Sequence, residues 1–377
     1  MRVLIDYRAA LRQRSGVGEY THQLVAALLA AYPPGGDGPP LALTLFSSSW
    51  KDRLALDPPL SGTPSIDRRV PVRVLNFAWH RLGWPAVESL TDRRFDVTHS
   101  LHPLLLPSRT AAKVVTIHDL YFLAHPELSG AEIRRDYPAL VRRHAGRADH
   151  IVVPSKFTAS QVDRLLNVPP DRVSVCSPGA PDWPPRSGLP ADGYVLFFGT
   201  LEPRKNVGAL LDAYELLIER RRPVPPLVVA GRATDAARPW LDRIGRAPLD
   251  RVVRYVGYVD PDERRALYEG ARMLVQPSHE EGFGIPVLEA MTIGVPVVAA
   301  DRGALPEVLG DAGTLVDPSN REDLADAIER MATDDAYAEA CASKGAMRAR
   351  DFSWSRTARH VYRAYQLALE HRRCASA

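Results

Sequence analysis

The chain has 377 residues, 45% of them apolar and 25% charged, with a formal net charge of +3. That length suits two domains with cores of their own, and so small a net charge does not mark a nucleic-acid binder, although the pI is near 8.7. Cys176, Cys341 and Cys374 are scattered without metal-like spacing, which fits a reducing cytoplasm better than a disulfide framework. The first residues run straight into an apolar strand pattern with no signal-peptide core, and no apolar run reaches the roughly 20 residues that span a bilayer. The expectation is a cytoplasmic protein that is soluble or lies on a membrane surface.

Strand-like runs alternate with helical stretches, the pattern of parallel βαβ sheets. In the first half the strands fall at Val3 to Asp6, Leu41 to Phe46, Val72 to Leu75, Val97 to Ser100, Val114 to Ile117, Ile151 to Pro154 and Val173 to Ser177. Helices are expected over Gly18 to Ala31, Glu132 to Ala148 and Lys156 to Leu166. The stretch "PPGGDGPP" from Pro33 to Pro40 reads as a short loop. The proline- and glycine-rich segment Pro178 to Pro190 reads as a linker between domains. Alternation then restarts, with strands at Tyr194 to Phe198, Leu227 to Ala230, Val252 to Tyr255, Met273 to Gln276 and Val297 to Ala299. Helices follow near Gly208 to Arg222, Pro261 to Gly270, Pro286 to Ile293 and Glu322 to Thr333.

Several segments carry chemistry. Ser15-Gly16-Val17-Gly18 opens a helix after a basic loop with Arg8, Arg12 and Arg14. Glycines there let backbone N–H groups approach a phosphate, though the run lacks the third glycine of a dinucleotide fingerprint. The arginines suit either an anionic acceptor or a solvated loop. Phe77 to Pro85 mixes aromatic and basic residues, and its Trp79 and Trp84 either pack inside the domain or touch a membrane surface. His118-Asp119 emerges from the end of a buried strand, where open α/β sheets bind ligands. Asp119 suits holding the turn or orienting His118.

Arg204-Lys205 follows the strand Tyr194 to Phe198 and precedes a helix. Cations at a helix N-terminus oppose its dipole, so a bound anion such as phosphate is the natural compensation. Asp260-Pro261-Asp262 has the form of a D-x-D metal motif, but Asp260, Pro261 and Glu263 read as N-cap, N1 and N3 of a helix, an acidic capping box. Glu281-Gly282-Phe283-Gly284-Ile285-Pro286-Val287-Leu288-Glu289 places two glutamates, with seven residues between them, around a loop-to-helix junction. Helical rise over that interval is roughly 12 Å, too far for one metal ion but suited to two ends of a long polar ligand. The alternative is an ordinary helix with two solvated glutamates.

Taken together, "SGVGEYT", "TIHDLYFLAHPE", "VVPSKFTASQV", "FFGTLEPRKNV", "YVGYVDPDERRALYEGARMLVQPSHEEGFGIPVLEAMTIGVPVVAADRGALPEVLGDAG" and "FSWSRTA" resemble, in order and over roughly residues 1 to 360, the retaining glycosyltransferases of family 4. The "EPRKN" and "TIHDL" wording is most similar to the bacterial mannosyltransferase branch. The resemblance implies a GT-B fold, in which two Rossmann-like doubly wound parallel-sheet domains face one interdomain cleft. It implies an acceptor-binding domain over 1–180, a nucleotide-sugar-binding domain over 191–353, and a last helix, 354–377, packing back on the first domain.

It further implies sugar transfer from a nucleotide-diphosphate donor, GDP-mannose or a UDP-sugar, to a glycan or lipid-linked acceptor. Arg204 and Lys205 would meet the diphosphate, Glu281 the donor-sugar hydroxyls and Glu289 the ribose. His118 would sit beside the reacting sugar. Gly16, Gly18, Gly282, Phe283 and Gly284 would border the donor. Neither metal nor cofactor is required, no nucleic acid is a partner, and peripheral contact with the inner face of a membrane is compatible. The rival readings are a sugar-nucleotide epimerase, which shares the GT-B architecture, a phosphorylase or synthase, and a non-catalytic sugar-nucleotide-binding protein.

Overall fold

A computed structural model describes residues 1–11, 16–33, 41–128 and 131–376. Arg12, Arg14, Ser15 and most of the Pro33 to Pro40 loop lie outside them. The chain divides into two compact units, Met1–Gly179 with Ser353–Ala377, and Ala180–Phe352.

The N-terminal unit is built on seven parallel strands: β1 (Arg2–Asp6), β2 (Ala42–Ser48), β3 (Ser65–Arg68), β4 (Val97–Ser100), β5 (Ala112–Thr116), β6 (His150–Val153) and β7 (Val173–Val175). They lie in the order β3-β2-β1-β4-β5-β6-β7. The strand order turns at β1 and β4, the crevice where doubly wound sheets bind ligands. Helix Trp354–Ser376 packs against this sheet, burying Ala358, Val361, Ala364, Tyr365 and Ala368 with Val3, Ile5 and Val97. Tyr365 OH reaches His99 Nδ1 at 2.8 Å, and Thr357 Oγ1 donates to Ser177 O at 2.6 Å.

The C-terminal unit repeats the plan with six parallel strands: β8 (Tyr194–Phe198), β9 (Leu227–Ala230), β10 (Val253–Gly257), β11 (Ala271–Gln276), β12 (Val297–Ala300) and β13 (Thr314–Val316). Their order is β10-β9-β8-β11-β12-β13, so the turn of strand order falls between β8 and β11. The central strands are buried on both faces, which is why they read as continuous apolar runs without alternation.

Two local expectations are corrected. Val72 to Leu75 is not a strand but the start of helix Val72–Phe77, which runs on through a wider helical turn, Ala78–Leu82. Its Val-Arg-Val-Leu alternation imitates a strand, yet the inward positions are Leu75 and Trp79, four apart, as a helix requires. The third strand of the sheet is the half-buried edge segment Ser65–Arg68, whose charges suit an edge. Asp260 and Pro261 do start helix Pro261–Glu269, but the Asp260 side chain makes no capping bond. Its backbone carbonyl instead accepts from Glu263 N at 3.0 Å and Arg264 N at 3.1 Å.

Candidate active site

At the C-terminal end of β8 the chain turns through Pro203–Lys205 and reverses at Asn206, whose φ is 54°. A left-handed conformation is uncommon without glycine, and here the Asn206 side chain holds it by donating to Pro277 O at 3.1 Å and Pro318 O at 2.9 Å. The turn aims Arg204 and Lys205 at the loop after β11. Glu281 waits there, only 5% exposed.

Its carboxylate is saturated. Oε1 accepts from Lys205 Nζ at 2.6 Å, Ser278 Oγ at 2.7 Å and Gln276 Nε2 at 3.1 Å. Oε2 accepts from Arg204 Nη1 at 2.9 Å. The other side of the Arg204 fork donates to Glu202 Oε1 at 2.8 Å. Burial alone would push the Glu281 carboxyl up, but the charges of Lys205 and Arg204 outweigh it and bring it down to about 2. The glutamate is therefore ionised, and two cations are locked in place at the switch point of the sheet.

The backbone around the cluster is crowded. Gly303 has φ +63°, and a Cβ there would stand 2.7 Å from Glu281 N. Ala304 N donates to Glu281 O at 2.9 Å. Beneath the neighbouring strand ends, Gly231 has φ +133°, and a Cβ would fall 1.9 Å from Gly199 O. Only glycine fits there. Gly284 caps helix Ile285–Ile293, with Pro286 in its first turn. Phe283 turns its ring into the core, edge-on to Phe352 at 5.6 Å, which leaves its backbone for any ligand contact.

Glu289 lies one turn inside that helix, 4% exposed. It is held by Arg264 Nη1 at 2.8 Å and Tyr268 OH at 2.8 Å, both from helix Pro261–Glu269. Burial, and then the Glu289 charge, raise the Tyr268 hydroxyl well above its ordinary value, so it stays a donor.

In the N-terminal unit His118 follows β5. Its Nε2 donates to Leu101 O at 3.1 Å, which leaves Nδ1 as the acceptor of a neutral ring, and the ring meets Tyr20 edge-on at 4.9 Å. Burial lowers its pKa, only partly offset by the Leu101 carbonyl and Asp119. Asp119 Oδ1 accepts from Tyr121 N at 3.2 Å and so holds the turn. Gly16 caps helix Val17–Ala31 with φ 51°. Gly18 packs on the preceding turn, where a Cβ would stand 2.6 Å from Ala9 O. Arg8 is not in a solvated loop: it forms a buried pair with Asp6 at 2.6 Å, donates to Asn76 Oδ1 at 2.7 Å and lies 4.9 Å over the Trp79 ring. His102 Nε2 adds a contact to Asp6 at 3.3 Å.

Residues 14–182 match the family described as Glycosyltransferase Family 4, and residues 181–348 match Glycosyl transferases group 1. The chain is 35% identical over 282 residues to the O-antigen chain mannosyltransferase B of Escherichia coli, covering 70% of this chain and 72% of that one. The chain belongs to glycosyltransferase family 4. The GT-B fold is shared with sucrose-phosphate synthase from Thermosynechococcus elongatus, at a TM-score of 0.79, 21% identity, and coverage of 97% and 98% of the two chains. The Anabaena HepE structure, solved with UDP and glucose, matches at a TM-score of 0.69, 17% identity, and coverage of 96% and 98%.

Within this glycosyltransferase, Arg204, Lys205 and Glu281 are brought into one cluster. Glu289 stands in a separate ion pair one turn inside helix Ile285–Ile293, with Gly282, Phe283 and Gly284 on the connecting turn. His118, Gly16 and Gly18 belong to the other unit. Sequence reasoning missed Ser278, Gln276, Arg264 and Tyr268. Arg264 and Tyr268 did carry a signal, being four residues apart on one face of a helix the sequence places correctly. Ser278 and Gln276 carried none. Among the described residues no three His, Cys, Asp or Glu side chains gather closely enough to hold a metal ion, and no helix is long and apolar enough to cross a membrane.

Proposed function

We propose that this glycosyltransferase transfers a hexosyl group, mannose from GDP-mannose, to a hydroxyl of a glycan or lipid-linked acceptor during surface-polysaccharide assembly. On this reading the enzyme is cytoplasmic, works at the inner face of the membrane and retains the anomeric configuration. The observation that carries it is the Lys205–Glu281–Arg204 cluster at the switch point of the C-terminal sheet. Likeness to the O-antigen mannosyltransferase supports the choice of sugar.

Cleaving the anomeric C–O bond leaves negative charge on the departing diphosphate. Arg204 and Lys205 stabilise that charge, and Glu281 holds both cations so that little reorganisation is needed. Glu289, fixed by Arg264 and Tyr268, takes the ribose hydroxyls, and the backbone of Gly282, Phe283 and Gly284 completes the cradle. Residues 191–353 thus hold the donor and residues 1–180 the acceptor, with helix 354–377 packed on the latter. In the N-terminal unit His118 accepts or donates a hydrogen bond at a sugar hydroxyl, its neutral ring being unsuited to holding a proton near pH 7. Gly16, with Gly18 behind it, offers N–H groups to a phosphate oxygen. The acceptor oxygen attacks from the face the diphosphate leaves, forming the new C–O bond as its proton passes to a phosphate oxygen. No divalent metal enters this scheme.

The test is released nucleotide with GDP-mannose, UDP-glucose, UDP-GlcNAc and UDP-galactose, with and without EDTA, together with the anomeric configuration of the product. Turnover of GDP-mannose alone, indifferent to EDTA and giving an α-linked product, supports the full reading. Preference for a UDP-sugar replaces the donor, an inverted product removes retention, and conversion of the donor without acceptor points to an epimerase.

A further inference from the structure

Where β1, β4 and β5 begin, a cavity of about 640 Å³ opens beside the last turns of helix Trp354–Ser376. That size falls within the roughly 300–1,000 Å³ of small-molecule sites. In a parallel sheet this is the end opposite the crevice at the β1–β4 turn of strand order. The cavity is therefore separate from the place that the doubly wound topology marks for substrates.

Its walls carry four arginines and one carboxylate. Arg2 comes from the start of β1, Arg94 from the segment before β4, and Arg372 and Arg373 from the helix. The excess of three positive charges is as large as the formal net charge of the whole chain. Nearby acids do not cancel it, because they are already engaged. Asp96 accepts from Arg2 N at 2.7 Å and from Arg2 Nη2 at 3.2 Å. Asp149 accepts from Lys113 N at 2.7 Å and stands 3.6 Å from Arg372 Nη1. Among the described residues Arg94 and Arg373 form no ion pair, and both are exposed.

Like charges gathered in a concavity repel one another, and a bound anion removes that penalty. Guanidinium forks match phosphate oxygens two at a time, so several forks suit an anion with several phosphate groups. Phe95, the aromatic residue of the wall, is only 5% exposed and offers a nucleobase no face to stack on.

We infer that this cavity binds a soluble oligophosphate, a chain of two or three phosphate groups that ties the end of helix Trp354–Ser376 to the starts of β1 and β4. The phosphates are what is recognised, whether free or as the tail of a nucleotide. The inference does not rest on the transfer chemistry. Arg204, Lys205 and Glu281 lie in the other unit, so the two readings fail separately.

The experiment is calorimetric titration of the full chain with tripolyphosphate at low and high salt, with ATP, sulfate and hexaglutamate as further probes. Tripolyphosphate is expected to bind, to weaken as salt rises, and to be matched by ATP, since the base adds nothing. Arg94→Gln/Arg373→Gln is expected to weaken it by about tenfold or more. The unliganded thermal midpoint of that variant should stay near wild type, because neither side chain gives up an ion pair. Lys205→Ala is expected to leave the titration unchanged. Bound tripolyphosphate should also raise the thermal midpoint and slow amide exchange over 366–373 in the helix. Absence of binding overturns the inference, as does binding indifferent to the arginine pair or lost in Lys205→Ala. Tighter binding by hexaglutamate, which makes the cavity a peptide site, or equal binding by sulfate, an adventitious ion only, also overturns it.

Discussion

Lys205 Nζ and Glu281 Oε1 stand 2.6 Å apart although 76 residues separate them in the chain. The contact joins the ends of β8 and β11, so the strand pairing that builds the sheet also assembles the charge cluster. Acid should expose this dependence. The Glu281 carboxyl falls from its usual 4.5 to about 2 on folding. Its contribution is therefore fully present above pH 4.5 and is lost as pH drops toward 2, amounting to roughly 3 kcal/mol. Glu281→Gln should flatten the stability-versus-pH curve in that window relative to wild type, as read by urea unfolding at a series of pH values. An unchanged slope would show that the pair does not hold the carboxylate down.

Kinetics should separate the cations' catalytic part from their structural part. If Lys205 meets the leaving diphosphate, Lys205→Ala removes one charge-assisted hydrogen bond worth about 1.5–3 kcal/mol, so kcat should fall by roughly ten- to several-hundred-fold. Arg204→Ala should behave similarly. Near-wild-type turnover in a folded Lys205→Ala protein would sink the phosphate assignment.

Tyr268 and Glu289 make a subtler pair. Tyr268→Phe deletes one anchor on Glu289 and should cost about 1 kcal/mol of stability. If Glu289 holds the donor ribose, the looser carboxylate should raise the donor KM severalfold with kcat little changed. Glu289→Ala is more drastic, because it removes the carboxylate paired with the buried Arg264 charge, and should destabilise by roughly 3–5 kcal/mol. A wild-type donor KM in Tyr268→Phe would confine Glu289 to a structural role.

The two parallel sheets were legible because their strands are buried on both faces and punctuated by turns, a pattern that survives without knowing which strand neighbours which. The candidate cluster was half legible. Two cations before a helix are conspicuous against the dipole, so Arg204 and Lys205 stand out. Their binding to Glu281 is a long-range pairing that no local pattern encodes. Arg8 shows the reverse failure, since a basic residue in an apparent loop proves to be buried against Asp6, a partner two residues away. The Val72 segment misled because a strand's alternation and a helix's four-residue spacing coincide over so short a run.

Histidine distribution predicts that the two units respond differently to mild acid. Ten of the eleven histidines lie in the N-terminal unit. Burial lowers His80 and His99 to about 3, and His144 and His150 to about 4. These rings are neutral in the fold but take up protons near 6.5 when unfolded. Their contribution is therefore complete above pH 6.5 and declines below it, by about 1.4 kcal/mol per histidine for each pH unit until the folded pKa is reached. Amide hydrogen exchange compared at pH 7 and pH 5.5, after correction for intrinsic rates, should show protection falling in β4, β5 and β6 while β8 and β11 hold theirs. Equal loss in both units would mean that the buried histidines do not control the acid response. Loss confined to the N-terminal unit should be reduced by His99→Gln, which keeps a polar side chain beside Tyr365 but cannot titrate.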